Sequence, residues 1–401
     1  MHLLRTRSHE LVRTLFHAGV QSVRGDRAVE RFLSDWPCPS RIQLVAIGKA
    51  ADSMCVGAMD RLGDALSSAL VITKHGHAGD RIKFDPRIEW HESGHPVPDA
   101  ASIAAGARLT EYIKAVPAGD HLLMLISGGS SALVEHLLDG ETLDTLTATT
   151  ESLLASGAAI GEMNRQRRAL SRIKGGRLAR YLSGCQVTQL LISDVPGDHL
   201  KDIGSGLMIP DADNDMPEDN PIWRKVESHI VASNAIAQAA VAQAARDLGL
   251  DVVQANGTID GLMDDVVPRV CDVLTQATRP GVYIWGGEPT IALPRKPGRG
   301  GRNQHLALAL ASKLDQRQTA CAGPMTVLVG GTDGTDGPTD DAGGCVDDAT
   351  AVRAAALQLD IQDYLARADA GSCLEALDAL LTTGPTGTNV MDLVIAIVGE
   401  P

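Results

Sequence analysis

The segment Ile42-Gln-Leu-Val-Ala-Ile-Gly-Lys-Ala-Ala51 is an apolar run that passes through one glycine and one lysine into a helical pattern. It predicts a buried strand at residues 42–47 and a helix at residues 50–62, the beginning of a βα unit. Short apolar runs alternate with longer helical patterns from there to the end of the chain. That alternation is typical of an α/β protein with a mostly parallel sheet.

The other elements are predicted from the same two periodicities. Further strands are expected at residues 69–73, 88–91, 121–126, 188–192, 251–254, 282–285, 326–329 and 393–398. Further helices are expected at residues 100–115, 143–155, 235–248, 263–276, 304–314, 349–359 and 373–381.

The composition agrees with this fold class and excludes several functions. The chain has 401 residues, of which 44% are hydrophobic and only 3% aromatic, so its core must be aliphatic. The net charge of −14 argues against binding to nucleic acid or to an anionic membrane surface. The first twenty residues carry charges throughout, and no apolar run reaches the length of a membrane span, so we expect a cytoplasmic protein.

The length predicts two or three domains, since a domain has roughly 100–200 residues. The segment 211–221 is acidic, poor in apolar residues and closed by a proline, which is typical of an exposed loop or the approach to a domain boundary. Two α/β domains that meet after about residue 230 are therefore expected.

A cationic segment stands out in this acidic chain, because seven basic residues fall between Arg165 and Arg180. On a helix, Arg165, Arg168 and Arg172 would share one face, and Lys174 would follow just before two glycines. One interpretation is a site for a small anionic metabolite or a phosphate. The other is a solvated helix face whose arginines pair with local acids.

Three predicted strands end in glycine-rich turns, at residues 125–131, 284–290 and 329–336. Ligands of open α/β sheets bind beyond the carboxyl ends of the strands, where glycine lets backbone N–H groups approach a phosphate. Six aspartates lie between residues 330 and 348, and Glu288 follows another of these turns. Carboxylates beside a phosphate site are how Mg²⁺ is usually held, although Asp-Gly pairs also form ordinary turns.

Several common motifs are missing from the sequence. It contains no GxGxxG dinucleotide fingerprint, no GxxxxGK[ST] phosphate loop, and no HRD or DFG triplet of a protein kinase. The seven cysteines are scattered without a CxxC pair, which argues against a zinc site and a disulfide framework.

Taken together, the motifs resemble the glycerate 2-kinase family, the class II glycerate kinases with a MOFRL C-terminal domain that were formerly described as putative hydroxypyruvate reductases. The segments that carry the resemblance follow in order through nearly the whole chain: 48–51, 92–99, 125–133, 162–179, 193–198, 204–206, 286–290, 301–304, 330–343 and 387–393.

The resemblance implies two three-layer α/β/α domains with the active site in the cleft between them. The N-terminal domain, residues 1–232, would be Rossmann-like with a mostly parallel sheet, and residues 233–401 would form the MOFRL-type domain. It also implies ATP-dependent phosphorylation of D-glycerate at its 2-hydroxyl, assisted by Mg²⁺ (or Mn²⁺), to give 2-phospho-D-glycerate and ADP. The sequence leaves a monomer and a homodimer open.

The site residues are assigned by combining the resemblance with the chemistry that a glycerate kinase requires. Lys49 and Arg302 match family positions proposed to face the cleft, and we expect them nearest the transferred phosphate. Asp194 is the candidate base that orients the attacking hydroxyl. Substrate and phosphate contacts are expected from Ser127, Gly128, Gly129, Ser130, Ser131, Asn164, Arg165, Arg168, Lys174, Gly286, Gly287 and Asn303. The expected metal ligands are Glu288, Asp333 and Asp336.

Two other functions stay open at this point. An NAD(P)H-dependent hydroxypyruvate reductase is the older description of the family, and the missing GxGxxG argues against it. A non-catalytic metabolite sensor that closes on a small anion is the third hypothesis.

Overall fold

A computed structural model describes residues 2–156, 160–211, 216–217, 219–314 and 323–400 of the chain. The strands are β1 (Ile42–Ile47), β2 (Leu66–Lys74), β3 (Ile88–Ser93), β4 (His121–Ile126), β5 (Gln186–Ile192), β6 (Val226–Ala232), β7 (Val252–Thr258), β8 (Gly261–Leu262), β9 (Gly281–Gly287), β10 (Pro289–Thr290), β11 (Met325–Gly331), β12 (Gly343–Asp347), β13 (Leu380–Leu381) and β14 (Asp392–Val398).

The α-helices are α1 (His2–Ser22), α2 (Gly25–Asp35), α3 (Ala51–Leu62), α4 (Asp80–Phe84), α5 (Ala100–Ala115), α6 (Ser130–Leu133), α7 (Leu143–Ser156), α8 (Ile160–Ala169), α9 (Asn234–Asp247), α10 (Met263–Thr275), α11 (Arg302–Leu314), α12 (Thr350–Ala356), α13 (Ile361–Ala366) and α14 (Ala370–Ala376). Short 3₁₀ helices lie at Gly63–Ala65, Arg177–Tyr181, Pro196–Asp198, Ile203–Ser205 and Pro221–Lys225.

The chain divides into two compact units that differ slightly from the expected domains. The N-terminal unit comprises Val23–Ser233 and Gly387–Asn389, and the C-terminal unit comprises Met1–Ser22, Asn234–Thr386 and Val390–Pro401. The change from one unit to the other after Ser233 lies next to the expected division. Two short segments belong to the other unit from the one that their place in the chain suggests: the first helix lies in the C-terminal unit and residues 387–389 lie in the N-terminal unit. The sequence does not indicate either assignment.

The N-terminal unit is built on a six-stranded sheet with the order β3-β2-β1-β4-β5-β6, in which every neighbouring pair is parallel. Strand β1 is buried along its whole length and pairs Ile47 with Ile72 on one side and Ile126 on the other. The chain runs outward from β1 to β3 and then returns to β4, so the strand order reverses between β1 and β4. This reversal is the switch point at which open α/β sheets bind ligands.

The C-terminal unit has a mixed six-stranded sheet with the order β13-β12-β11-β14-β9-β7. Only β7 and β9 are parallel, and the other neighbours are antiparallel. The continuous βα alternation predicted from the sequence is therefore wrong for this half. The reason is the connection between β11 and β12. These strands are joined by a turn-rich loop with an isolated β-bridge between Asp336 and Thr339, not by a helix, and they pair antiparallel.

Helix α1 belongs to the C-terminal unit because its apolar face packs there. Val12, Leu15 and Phe16 are fully buried. A Cβ atom on Gly330 of β11 would lie 3.0 Å from the Phe16 ring, so α1 rests directly on the sheet. Among the described helices, none is long and apolar enough to cross a membrane.

Candidate active site

Two turns meet at the switch point of the N-terminal sheet. After β1, Gly48 has φ +131°, and a Cβ atom at this position would overlap the Ser127 side chain beyond β4. The amide of Lys49 donates to Gly128 O over 2.9 Å, and the amide of Ala50 donates to Ser127 Oγ over 3.0 Å. The lysine predicted for the site is thus held beside the Ser127–Ser131 turn by its own backbone.

Side chains from three other segments close around the two glycines of this turn. A Cβ atom on Gly128 would overlap the Asp194 carboxylate and lie 2.5 Å from Asn389 Nδ2. The Asn389 amide donates to Asp194 Oδ2 over 3.2 Å. The structure therefore brings the predicted base Asp194 to the predicted phosphate turn, together with Asn389, which we did not predict.

Gly129 faces the lysine and a histidine. It has φ +85°, a left-handed conformation that favours glycine. A Cβ atom there would lie 2.9 Å from His95 Cδ2 and 3.3 Å from Lys49 Cγ. His95 was not among the predicted site residues, because its spacing from His91 matches no metal site and a contact across 34 positions has no sequence signature.

The turn after β4 contains two backbone amides, those of Gly128 and Gly129, that can face a ligand. Within the part of the chain that the structure describes, neither Gly128 nor Gly129 donates its amide to another backbone group. The Ser130 hydroxyl is buried and likewise has no hydrogen-bond partner among the described residues. Unpaired donors in a glycine turn are suited to an anionic oxygen.

Asn164 and Ser131 belong to a buried polar chain behind the turn. Ser131 Oγ and Ser205 Oγ lie 2.7 Å apart, and Ser205 Oγ donates to Asn164 Oδ1 over 2.9 Å. The other side of the amide, Asn164 Nδ2, donates to Asp202 O over 3.2 Å. These contacts give Asn164 a part in holding the turn.

The cationic segment does not form the predicted stripe. Helix α8 ends at Ala169, so Arg172 is not on the helix that carries Arg165 and Arg168. Arg168 is buried and pairs with Asp202 over 3.1 Å and with Asp211. Arg172 pairs with Asp139, and its Nε donates to Leu137 O. The second interpretation of the sequence, pairing with local acids, is correct for Arg168 and Arg172. Arg165 is exposed.

Lys174 is a core residue, which corrects its assignment to an anion site. Its side chain and that of Glu135 are both fully buried and form an ion pair. The same ammonium group donates to Val134 O over 3.3 Å. Burial lowers the pKa of Lys174, and the Glu135 carboxylate opposes that shift. The charge pattern could not show this, because the partner lies 39 positions earlier.

The second cluster of predicted residues lies in the C-terminal unit, where β9, β14 and α11 meet. Arg302, the first residue of α11, donates from Nε to Asp392 Oδ2 over 2.6 Å and from Nη2 to Asp392 Oδ1 over 3.2 Å. Its Nη1 lies 2.7 Å from Glu288 Oε1. Burial lowers the pKa of Arg302, but the Asp392 and Glu288 carboxylates outweigh it and raise the pKa above its ordinary value.

The glycines before Glu288 have a packing explanation. A Cβ atom on Gly286 would overlap the Asn234 amide, and one on Gly287 would overlap the Asp260 carboxylate. Asp260 Oδ1 accepts from the amide of Glu288 over 2.8 Å. Both glycines therefore let side chains approach β9, whether or not they also contact a substrate.

Asp336 serves as a cap for helix α11. Its carboxylate accepts from the amides of Asn303 over 3.1 Å and Gln304 over 2.8 Å, and the residue is only 3% exposed. Burial raises the pKa of Asp336 to about 7, against the lowering effect of these two hydrogen bonds. Both oxygens are thus occupied, which does not suit the metal-ligand role that the sequence suggested.

The other two predicted metal ligands also have partners. Asp333 Oδ1 accepts from the amide and the hydroxyl of Thr335, each over 3.1 Å, and Glu288 pairs with Arg302. In the described ranges, no three His, Cys, Asp or Glu side chains are grouped so that they could hold a metal ion.

Comparisons with known proteins connect both clusters to one family. The domain of unknown function DUF4147 matches residues 11–239, and the MOFRL family matches residues 281–392. The chain is 34% identical to the D-glycerate 2-kinase of Thermotoga maritima, over 94% of this chain and 95% of that protein. It is 33% identical to a putative hydroxypyruvate reductase of Agrobacterium vitis, over 98% and 95% of the two chains.

A solved structure agrees with these matches. The crystal structure of a glycerate kinase from Thermotoga maritima superimposes with a TM-score of 0.85 at 33% identity, over 97% of this chain and 99% of that chain. The fold class and the family predicted from the motifs are confirmed. The chain belongs to the glycerate 2-kinase family, with a DUF4147 region followed by a MOFRL region.

Proposed function

We propose that the protein transfers the γ-phosphoryl group of ATP to the 2-hydroxyl of D-glycerate and releases 2-phospho-D-glycerate and ADP. Relatives that are named glycerate kinases support the phosphorylation of glycerate. The observation that carries the proposal is the switch-point turn. There the Lys49 side chain and the Asp194 carboxylate lie beside two glycine amides that donate to no other backbone group of the described residues.

This arrangement matches the needs of phosphoryl transfer, in which catalysis is mostly positioning and charge stabilisation. The ammonium group of Lys49 and the amides of Gly128 and Gly129 would bind oxygens of the transferred group. Asp194 would accept the proton of the attacking 2-hydroxyl. The hydrogen bond that Asn389 Nδ2 donates to Asp194 Oδ2 holds this carboxylate at the turn.

Arg302 is the second cation that we assign to the transferred phosphoryl group. Asp392 occupies two of its donors, and Nη1 points to Glu288, whose side chain is 42% exposed. A phosphate oxygen can replace an exposed carboxylate at that nitrogen without disturbing the buried pair. The planar guanidinium would then stabilise charge that develops in the transition state.

Mg²⁺ or Mn²⁺ would enter as the complex with ATP. In such sites one or two carboxylates bind the ion, and phosphate oxygens and waters complete its shell. Glu288 and Asp333 fit this pattern better than Asp336, since they are partly exposed and Asp336 is capped on both oxygens. The ion would neutralise negative charge on the phosphates.

The decisive experiment identifies the product. The purified protein is incubated with MgATP and D-glycerate, and ³¹P NMR distinguishes the 2-phosphate from the 3-phosphate while a coupled assay measures ADP. We expect 2-phosphoglycerate in equal amount to ADP. L-glycerate serves as the control substrate, and mainly 3-phosphoglycerate as product would reject the regiochemistry.

A hydroxypyruvate reductase is the second candidate. Two relatives are named putative hydroxypyruvate reductase, and the strand order β3-β2-β1-β4-β5-β6 is that of dinucleotide-binding folds. The first βα turn argues against it. Ala50 and Ser53 stand where the fingerprint needs its second and third glycines. The amides of Lys49, Ala50 and Ala51 already donate to Gly128 O, Ser127 Oγ and Gly48 O, so they are not available to a pyrophosphate.

The same preparation discriminates the two candidates. NADH and NADPH oxidation is followed at 340 nm with hydroxypyruvate, in parallel with the ADP assay. Turnover of a nicotinamide cofactor without ATP consumption would replace the kinase proposal with the reductase.

A further inference from the structure

The segment 387–393 carries part of the family resemblance, yet its aspartate has no role in the function proposed above. Asp392 begins β14 and pairs with Gly287 of β9 across the antiparallel ladder. It is 1% exposed. Its carboxylate accepts three side-chain hydrogen bonds, two from Arg302 and one from Asn303 Nδ2 over 2.9 Å.

These contacts restrain the arginine at one edge. The bonds from Nε and Nη2 are the bidentate arrangement that fixes a guanidinium in its plane. Asn303 binds the same oxygen as Nη2 and thereby fixes the carboxylate in turn. The opposite edge of the guanidinium, Nη1, is the edge that meets the partly exposed Glu288.

We propose that Asp392 is a positioning residue, which acts on phosphoryl transfer only through the orientation of Arg302. This inference rests on the proposed function. The Arg302 side chain is long and 34% exposed, so without restraint it could adopt many rotamers. If Arg302 met the phosphoryl group in the wrong rotamer, its contact with the transition state would be lost. A buried carboxylate that holds two of its nitrogens removes that freedom before the substrate arrives.

The test is a double-mutant cycle on kcat with Asp392→Asn and Arg302→Met, in the full-length protein. Asp392→Asn keeps the shape of the side chain but removes the charge and one acceptor, and we expect kcat to fall by about tenfold or more. In the Arg302→Met background the same substitution should change kcat by less than about twofold, because its target is gone. A structural role would give the same loss in both backgrounds.

Asp347→Asn is the matched control. Asp347 is another buried carboxylate of the C-terminal unit that pairs with an arginine, Arg353, over 2.9 Å. No predicted site residue contacts it among the described contacts. We expect this variant to lower the melting temperature and to leave kcat close to that of the parent.

Two further measurements keep the inference testable if Asp392→Asn folds poorly. Asp392→Glu retains the charge but moves it by one methylene in a buried site. At a temperature at which the variants are folded, kcat should still fall in the Arg302 background and should change little in the Arg302→Met background. Added guanidinium should partly restore Arg302→Ala when Asp392 is present and should fail to restore the Arg302→Ala/Asp392→Asn protein.

The outcomes separate this inference from the proposed function. If the parent is active and Asp392→Asn and Arg302→Met lower kcat independently of each other, the proposed role of Asp392 is wrong and the kinase proposal stands. A parent that transfers no phosphoryl group to glycerate overturns both. Coupling in the cycle, together with guanidinium rescue that needs Asp392, supports the inference.

Discussion

The buried pair of Lys174 and Glu135 gives the sharpest contrast between a structural and a substrate-binding role for a predicted site residue. We predict that Lys174→Met destabilises the N-terminal unit and changes the KM for ATP and for glycerate little. Both side chains are fully buried, so the substitution leaves an uncompensated carboxylate inside the core. Breaking such a pair costs about 3–5 kcal/mol.

The other contacts of Glu135 decide how much of that cost remains. After the substitution, Glu135 Oε1 still accepts from Ser171 Oγ over 2.5 Å and from the amide of His136 over 2.9 Å. These neutral donors soften the loss. A domain of this size loses about 2–4 °C in melting temperature per kcal/mol, so we expect a shift of about 10 °C.

The assay is calorimetric unfolding beside steady-state kinetics at a temperature where the variant is folded. Lys174→Met/Glu135→Gln is the control, because the neutral amide removes the uncompensated charge and still offers an oxygen to Ser171 and to the His136 amide. Its melting temperature should return most of the way to that of the parent. A Lys174→Met protein that unfolds like the parent, with KM for either anionic substrate raised tenfold, would refute the reasoning and restore the anion-binding role.

Three further predictions follow from the site and its surroundings. Arg302→Lys should lower kcat by about tenfold or more without a matching rise in KM for ATP, since lysine cannot hold a bidentate partner and a phosphate together; a change in KM alone would make the arginine a ground-state anchor. Gly128→Ala should fold but lose most activity, because the added methyl overlaps the Asp194 carboxylate, and near-parent kcat would argue against both residues in the site. Burial lowers the pKa of His9, but hydrogen bonds to Asp347 and Cys345 outweigh it and raise the pKa to about 9 from 6.5. The raised pKa of His9 stabilises the folded protein fully below pH 6.5, and this contribution is lost as the pH rises to 9. The melting temperature of the parent should therefore exceed that of His9→Gln at pH 6, and the two should become equal by about pH 10.

The parts of the fold that could be predicted are those in which a local pattern decides. Strands β1 and β4 and helix α5 have the predicted bounds, because each is a clear apolar or helical period between glycine, proline or polar residues. Strand β12 was missed because its sequence, Gly343-Gly-Cys-Val-Asp347, looks like a turn, although every residue of it is buried. The predicted helix at 373–381 ends early and becomes strand β13 at Leu380, where pairing with Gly344 overrides helical propensity.

The candidate site shows the same limit. Lys49, the Ser127–Ser131 turn and Asp194 could be predicted because each follows a strand, and parallel strands end at one edge of the sheet. Asn389 and Asp392 lie in the segment 387–393, which carries part of the resemblance, but their contacts could not be predicted, since their partners lie 195 and 90 positions away. Charge alone was a poor guide, because a buried cation such as Lys174 and a substrate-binding cation look alike in a sequence.

The two short segments that belong to the opposite units matter for any attempt to express the two predicted domains as separate proteins divided at residue 232. A cut there would take helix α1 from the C-terminal unit and uncover the surface of β11 that Phe16 covers. It would also take Asn389, the hydrogen-bond donor to Asp194, from the N-terminal unit. Two halves made by this cut would be inactive because one loses the packing of α1 and the other loses the hydrogen bond from Asn389. Their inactivity would therefore not show which unit contains the reacting groups. A division that respects the contacts has to join residues 2–22 to the segment that begins at Asn234, and only pieces made in that way can report which unit binds which substrate.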